Sequence, residues 1–343
     1  MKNPFSLSFG KEPVNAVSRE KQVNEVIEGF ETEGFQVAMV TGVRGSGKTV
    51  FMTEVAAELK KNDSWIVLEL SPERSLFETL LAELYAKKDI LKFLKDLNIN
   101  LSAFGFGVEI NSEAQNADFI VALDKALEHL MKKGMKLLIT IDEAVSNKYI
   151  REFVSQFQIY MRKGYNVFLL MTGLYENIYE LQNEKTLTFL YRTPKFVLDP
   201  LNSKLVAQKY QEIFGIDGVK AAQMADIVKG YPYAYQVLGY LCYKRAAPYE
   251  EVLNEFDVYL GEYVYDKIWS ELSANDRVVV KAIGKSKTGK VEDVRNIADM
   301  TSEEFSVYRK RLIKKGIISS PQYGHVAFTL PRFKEYLAEN VTE

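Results

Sequence analysis

Eight consecutive residues, Gly42-Val43-Arg44-Gly45-Ser46-Gly47-Lys48-Thr49, fit the pattern G-x-x-x-x-G-K-[ST]. These types at this spacing suit one chemistry, the holding of a chain of phosphates. Glycines let the backbone take positive φ, so successive N–H groups converge on one anion. A helix that starts at the lysine adds the positive end of its dipole. The Lys48 ammonium would reach the β- and γ-phosphates, and the Thr49 hydroxyl would take a place on Mg2+. A chance glycine turn would not need the apolar run "FQVAMVT" before it or the helical spacing of "TVFMTEVAAELKK" after it, and both are there.

Asp142 and Glu143 close the apolar run "LLITIDEA". Carboxylates at the tip of a buried strand are costly unless they face a ligand. Alone, the pair would merely open a loop. With a phosphate loop upstream, it reads as Asp142 on Mg2+ and Glu143 polarising the attacking water. Thr172 closes "VFLLMTG", where it could orient water or the γ-phosphate, although threonine also serves strand packing. Arg192 in "LYRTPKF" is either a solvated loop arginine or a stabiliser of transition-state charge, in its own chain or across a subunit boundary. Arg44 is a weaker rival for that role. Gly230-Tyr231-Pro232 opens a helix, with proline in a position that suits the first turn. The same segment could press an apolar surface onto adenine. His129 lies on an apolar helix face and reads as packing.

The elements that must position these residues alternate. "FQVAMVT", "SWIVLEL", "MKLLITIDEA", "YNVFLLMTG" and the short "PKFVLDPL" read as buried strands, separated by amphipathic helices. Ser75 and Glu78 stand at capping-box spacing before "LFETLLAELYAKK", and Gly134 and Gly164 close two other helices. Alternation of this kind implies an α/β fold, a doubly wound parallel sheet with ligands at the carboxyl ends of its strands. "INLSAFGFGVEINS" interrupts the alternation and reads as an inserted hairpin. From Leu201 the texture is helical, punctuated by Gly215, Gly218 and Gly230. From about Trp269 come three further helices, the first capped by Ser273, and then "IISS", "PQYG" and "HVAFTL" as a two-stranded wing. That order is the pattern of a winged helix-turn-helix. The expected domains are a nucleotide-binding core at 1–200, a helical lid at 201–266 and a winged-helix domain at 267–343.

Together these motifs resemble those of an AAA+ ATPase. The likeness rests on the Walker A loop "GVRGSGKT", the Walker B strand "LLITIDEA", the polar strand tip "LLMTG" and the arginine in "LYRTPKF". "NAVSREKQVNEV" is similar to the segment that precedes the loop and flanks adenine, with Ser18 in place of the usual glycine and Arg19 and Glu20 carrying the match. "GYPYAYQVLGY" resembles the glycine-x-proline lid motif shared by archaeal-type ATPases, origin-recognition initiators and STAND signalling ATPases. "YRKRLIKKGII" with "FTLPRF" resembles their winged helix. The resemblance implies a site for ATP or ADP with Mg2+, built from Gly42, Gly45, Ser46, Gly47, Lys48, Thr49, Arg19, Tyr231 and Pro232. Asp142 and Thr49 would hold the metal, and Glu143, Lys48, Thr172 and Arg192 would act in hydrolysis. The lid carries no clear second-sensor arginine, which implies slow turnover.

Composition bounds the partners. A formal net charge of -2 over 343 residues advertises no global attraction to nucleic acid, so any such surface must be local. Residues 270–343 hold thirteen Lys/Arg against ten Asp/Glu, and five of the cations lie in "RKRLIKK". Arg309, Lys310 and Lys314 could meet duplex phosphates, with polar help from Ser306 and Gln322. Glu303 and Glu304 at the leading end of that helix oppose this. A single cysteine, Cys242, excludes an internal disulfide and suits a reducing compartment. Two histidines and that cysteine leave little for zinc. No apolar run approaches membrane-spanning length, so a cytoplasmic protein with no membrane partner is expected. The leading expectation is an ATPase switch whose nucleotide state closes the lid and moves the winged helix, on DNA. The alternative is a nucleotide-gated interaction module in signalling or defence, in which the winged helix binds a partner protein and not DNA; a second copy of the chain is a further candidate partner.

Overall fold

The computed structural model describes residues 3–7, 13–96 and 113–341. The inserted hairpin expected at 99–112 lies outside the described residues. The chain falls into two compact units. One comprises Glu20–Thr41 and Phe51–Val197; the other comprises Met1–Arg19, Gly42–Val50 and Leu198–Glu343.

The first unit is built on a parallel sheet. In chain order its elements are α1 (Glu20–Glu31), β1 (Val37–Thr41), α2 (Lys48–Lys60), β2 (Trp65–Glu69), α3 (Leu76–Tyr85), α4 (Lys88–Asp96), α5 (Glu113–Lys132), β3 (Lys136–Ile141), α6 (Lys148–Arg162), β4 (Val167–Gly173), α7 (Tyr175–Gln182) and β5 (Lys195–Val197). The first turn of α2 belongs to the second unit. The strand order is β2-β3-β4-β1-β5. Every residue of β1 and β4 is buried, because a central parallel strand is covered on both faces. This is why those strands read as continuous apolar runs. The register aligns Thr41 with Gly173 and with Val197, and Ile141 with Met171. The carboxyl ends of β1, β3 and β4 therefore share one edge of the sheet. Local capping follows the residue types: Ser75 accepts from the Glu78 N–H at 3.5 Å, and Asn147 accepts from Ile150 at 2.9 Å to start α6. His129 stacks on Phe93 with ring centroids 4.0 Å apart, which is the packing role its helix face suggested.

The second unit is helical. It contains α8 (Ser203–Phe214), α9 (Gly218–Val228), α10 (Pro232–Arg245), α11 (Tyr249–Leu260), a π-turn at Gly261–Tyr265, α12 (Asp266–Glu271), α13 (Ala274–Lys285), α14 (Val291–Ala298), α15 (Ser302–Lys314), the antiparallel pair β6 (Ile318–Ser319) and β7 (Ala327–Phe328), and α16 (Phe333–Asn340). Asn202 and Asp217 cap α8 and α9. Ser273 with Asp276, and Thr301 with Glu304, form complete capping boxes at α13 and α15. The N-terminal peptide is part of this core. Phe5 is buried against Tyr210, Phe214 and Tyr235, in a slot that a Cβ on Gly239 would fill. A buried phenylalanine contributes about 2–3 kcal/mol, enough to hold a short arm. Among the described residues no helix is long and apolar enough to cross a membrane.

Candidate nucleotide site

The loop between β1 and α2 is tightly determined. Gly45 and Gly47 have φ of 75° and 84°, a region where a side chain is strained. A Cβ on Gly42 would overlap the Ser46 hydroxyl, and one on Gly45 would overlap the Tyr231 hydroxyl. The Cβ position of Gly47 is 3.5 Å from the Arg19 guanidinium and 3.6 Å from the Pro232 ring. Lys48 Nζ donates to the Gly42 carbonyl at 3.0 Å and the Val43 carbonyl at 3.3 Å. Arg19 Nη2 donates to the Ser46 carbonyl at 2.9 Å, while its Nε donates to the Asp199 carbonyl at 2.6 Å. The Tyr231 hydroxyl donates to the Arg44 carbonyl at 2.5 Å, and the Tyr233 N–H to the Gly45 carbonyl at 3.3 Å. Arg19, the glycine loop, Lys48, Tyr231 and Pro232 are thus gathered in one place. Thr49 stands in the first turn of α2, beside Lys48.

The loop fits a phosphate chain on its own features. Glycine at 42 and 45 lets the Ser46 and Tyr231 hydroxyls pack directly on the loop backbone, and positive φ at Gly45 and Gly47 gives the turned backbone that an anion-binding loop uses. Among the described residues, Ser46 Oγ is buried without a hydrogen-bond partner. A hydroxyl in that state costs about 1–3 kcal/mol unless a ligand completes it.

Asp142, Glu143 and Thr172 form a second group at the carboxyl ends of β3 and β4. The Thr172 hydroxyl donates to Asp142 Oδ1, and the Glu143 N–H donates to the same oxygen at 2.9 Å. The Ala144 N–H donates to the Thr172 carbonyl at 2.8 Å. Glu143 has φ of 50°, unusual for a residue with a side chain. Such a backbone costs about 1–2 kcal/mol, offset here by the two hydrogen bonds on either side of it. Thr172 is fully buried, Asp142 half-buried and Glu143 exposed. Arg192 is not gathered with them. It ends the 3-10 turn Thr188–Arg192 and precedes β5, at the amino end of that strand, with its side chain exposed.

The basic run in α15 is split by direction. Arg311 donates to Asp276 Oδ1 at 2.9 and 2.6 Å, and Lys315 Nζ stands 3.5 Å from Asp276 Oδ2. The Asp276 side chain is 1% exposed, so these two cations neutralise a buried carboxylate. Arg309 Nη2 is tied to Ser320 at 2.8 Å. Lys310 and Lys314 remain on the exposed face, Gln322 is exposed in the turn between β6 and β7, and Ser306 is half-buried. Glu304 is engaged with Thr301, whose N–H and hydroxyl hold its carboxyl below the usual range.

Residues 17–186 match the model of an ATPase domain predominantly from Archaea. The fold is that of a P-loop ATPase. Residues 262–337 match a separate domain of unknown function. The chain is 21% identical over 306 residues to an ATP-binding protein of Methanocaldococcus jannaschii, covering 87% of each. It is 24% identical over 262 residues to a nucleotide-binding protein of Bifidobacterium animalis subsp. lactis, covering 74% of this chain and 76% of that one. Among solved structures, a Walker-type ATPase of Pyrococcus abyssi superposes with a TM-score of 0.67 at 13% identity, covering 97% of this chain and 99% of that chain. The ORC2 protein of Aeropyrum pernix superposes at 0.58 with 13% identity, covering 96% of each. The matched residues and the parallel sheet agree on a P-loop ATPase-type fold. The glycine loop and the acidic strand end both lie inside the matched residues.

Two features of the site had no signal in the sequence. Arg44 pairs with Glu271 at 3.0 Å, a contact across 227 residues of chain. The Tyr231 hydroxyl finds the Arg44 carbonyl across 187. Neither partner is marked by any local pattern.

Proposed function

We propose that the chain binds Mg-ATP in the loop Gly42–Thr49 and hydrolyses it slowly, as a nucleotide-controlled switch. The observation that carries this reading is the loop itself, whose carbonyls are taken up by neighbours while the Gly45 and Gly47 N–H groups have no partner among the described residues. The Methanocaldococcus relative described as ATP-binding, and the ORC2 neighbour solved as ADPNP–ADP complexes, lend support. Mg2+ bound by Thr49 and Asp142 would supply charge neutralisation on the phosphates. Lys48 leaves the loop carbonyls for the phosphate oxygens. Glu143, exposed and outside the Asp142–Thr172 hydrogen bond, is the base for the attacking water. Thr172 holds the Asp142 carboxylate in one orientation. Arg192, exposed at the amino end of β5, serves a second copy of the chain rather than its own phosphates.

The loop belongs to the same compact unit as the lid helices α8–α11 and the C-terminal helices α13–α16. Nucleotide state therefore acts on the C-terminal elements, read as a winged helix, through Arg44–Glu271 and through Val43, which lies 3.7 Å from the Cβ position of Gly316. For the output, the pairing of Arg311 and Lys315 with Asp276 favours a partner protein over duplex DNA, because it engages two of the five cations of the run 309–315.

The test is a pair of variants. Lys48→Ala should abolish ATP binding, and Glu143→Gln should keep ATP bound and stop phosphate release. Equal loss of binding in both would contradict this division of roles. Light scattering with ADP and with a slowly hydrolysed ATP analogue tests the role of Arg192, which requires an assembly in the ATP state.

A further inference from the structure

We infer that Tyr231 is a positioning residue of the phosphate loop: its hydroxyl fixes the Arg44–Gly45 peptide so that the Gly45 N–H faces the bound phosphates. This rests on the nucleotide reading above and assigns the tyrosine a task other than covering adenine. In a trans peptide the N–H points away from the C=O, and no cis peptide occurs among the described residues. The hydroxyl holds the Arg44 carbonyl at 2.5 Å, so the Gly45 N–H of the same plane points away from the tyrosine, into the cradle. Arg19 does the same for the next such plane. It holds the Ser46 carbonyl at 2.9 Å and turns the Gly47 N–H the other way. The amide between them is used inside the loop, since the Ser46 N–H donates to the Val43 carbonyl at 3.1 Å. Among the described residues neither the Gly45 nor the Gly47 N–H has a partner. Two unpaired amides, each with its carbonyl held from behind, are what an anion needs.

The tyrosine is built for this task. It is 5% exposed, packed in the core of the helical unit, and its hydroxyl lies where a Cβ of residue 45 would be. Its burial pushes the phenol far above its ordinary ionisation range, so it remains a donor. Pro232 follows it at the start of α10, and Tyr233 adds its N–H to the Gly45 carbonyl. The start of α10 is thereby an external brace for one side of the loop.

Tyr231→Phe removes a single oxygen and keeps the ring in place. Calorimetry on the full chain with Mg-ATP and with magnesium tripolyphosphate, which has no base, reads the effect. Both ligands should weaken by the same factor, about 3- to 10-fold, the range that one lost hydrogen bond supports. The melting temperature without ligand should stay within about 3 °C of the unaltered protein. Unchanged ATP affinity would overturn the inference. So would a loss for ATP with tripolyphosphate unaffected, which would put the ring on the base. As a check independent of any variant, the Gly45 amide resonance of the unaltered protein should shift on adding tripolyphosphate, and no shift overturns the inference. Failure of the unaltered protein to bind ATP at all would be a different result, one that removes the nucleotide reading itself.

Discussion

The phosphate loop and the basic helix α15 use charge and hydrogen bonding in opposite ways. In the loop, every carbonyl from Gly42 to Ser46 is held by a donor, and among the described residues the Gly45 and Gly47 amides have no partner. At the end of α15, a run with five cations in seven residues, closed by the cap Lys315, spends Arg311 and Lys315 on Asp276, 35 and 39 residues back in the chain, and Arg309 on Ser320. The loop is organised to receive something from outside. The helix is largely organised to complete its own domain. Counting charges along a sequence does not separate these cases; the location of the countercharge does.

Four variants sharpen that contrast. The largest effect belongs to Glu143→Gln, which should lower the rate of phosphate release about 1,000-fold with ATP still bound, a loss within the range of a general base. Single-turnover assays check it, and a loss below about 10-fold would remove Glu143 from the chemistry. Asp276→Ala should destabilise the helical unit by about 3 kcal/mol, because Arg311 and Lys315 lose the carboxylate they share. Denaturant unfolding reads this, and a change under about 0.5 kcal/mol would mean that the basic run does not serve the fold. Gly45→Ala should weaken ATP about 10- to 30-fold, since positive φ and the Tyr231 hydroxyl both resist a Cβ. The smallest effect is expected for Arg309→Ala with Lys310→Ala on duplex DNA. Anisotropy should change less than about 2-fold, whereas a loss above 10-fold with a salt slope shallower by about two would restore the DNA reading.

Much of the fold is legible before any coordinates. The buried parallel strands announce themselves as apolar runs, and Ser75, Ser273 and the closing glycines mark helix ends, because caps and turns are decided by neighbours within a few residues. The glycine loop and the Asp142–Glu143 strand end are legible for the same reason, since contiguous backbone chemistry writes contiguous sequence. What escaped depends on distant partners. The left-handed backbone of Glu143 is held by Asp142 and by the hydrogen bond from Ala144 to β4. Tyr231 looked like a surface for adenine, and its hydroxyl partner is visible only once the loop and α10 are folded together. Arg192 precedes β5 in sequence and in structure, and the parallel direction of that strand puts it at the amino end, away from Asp142 and Thr172.

The central claim is that the loop Gly42–Thr49 holds the phosphates of ATP. Its most direct test is calorimetric titration of the full chain with Mg-ATP, beside Lys48→Ala. One ATP should bind per chain in the unaltered protein, with the affinity lost by more than 100-fold in the variant, as expected when a lysine paired to phosphate is removed. No binding in the unaltered protein, or equal binding in both, would contradict it.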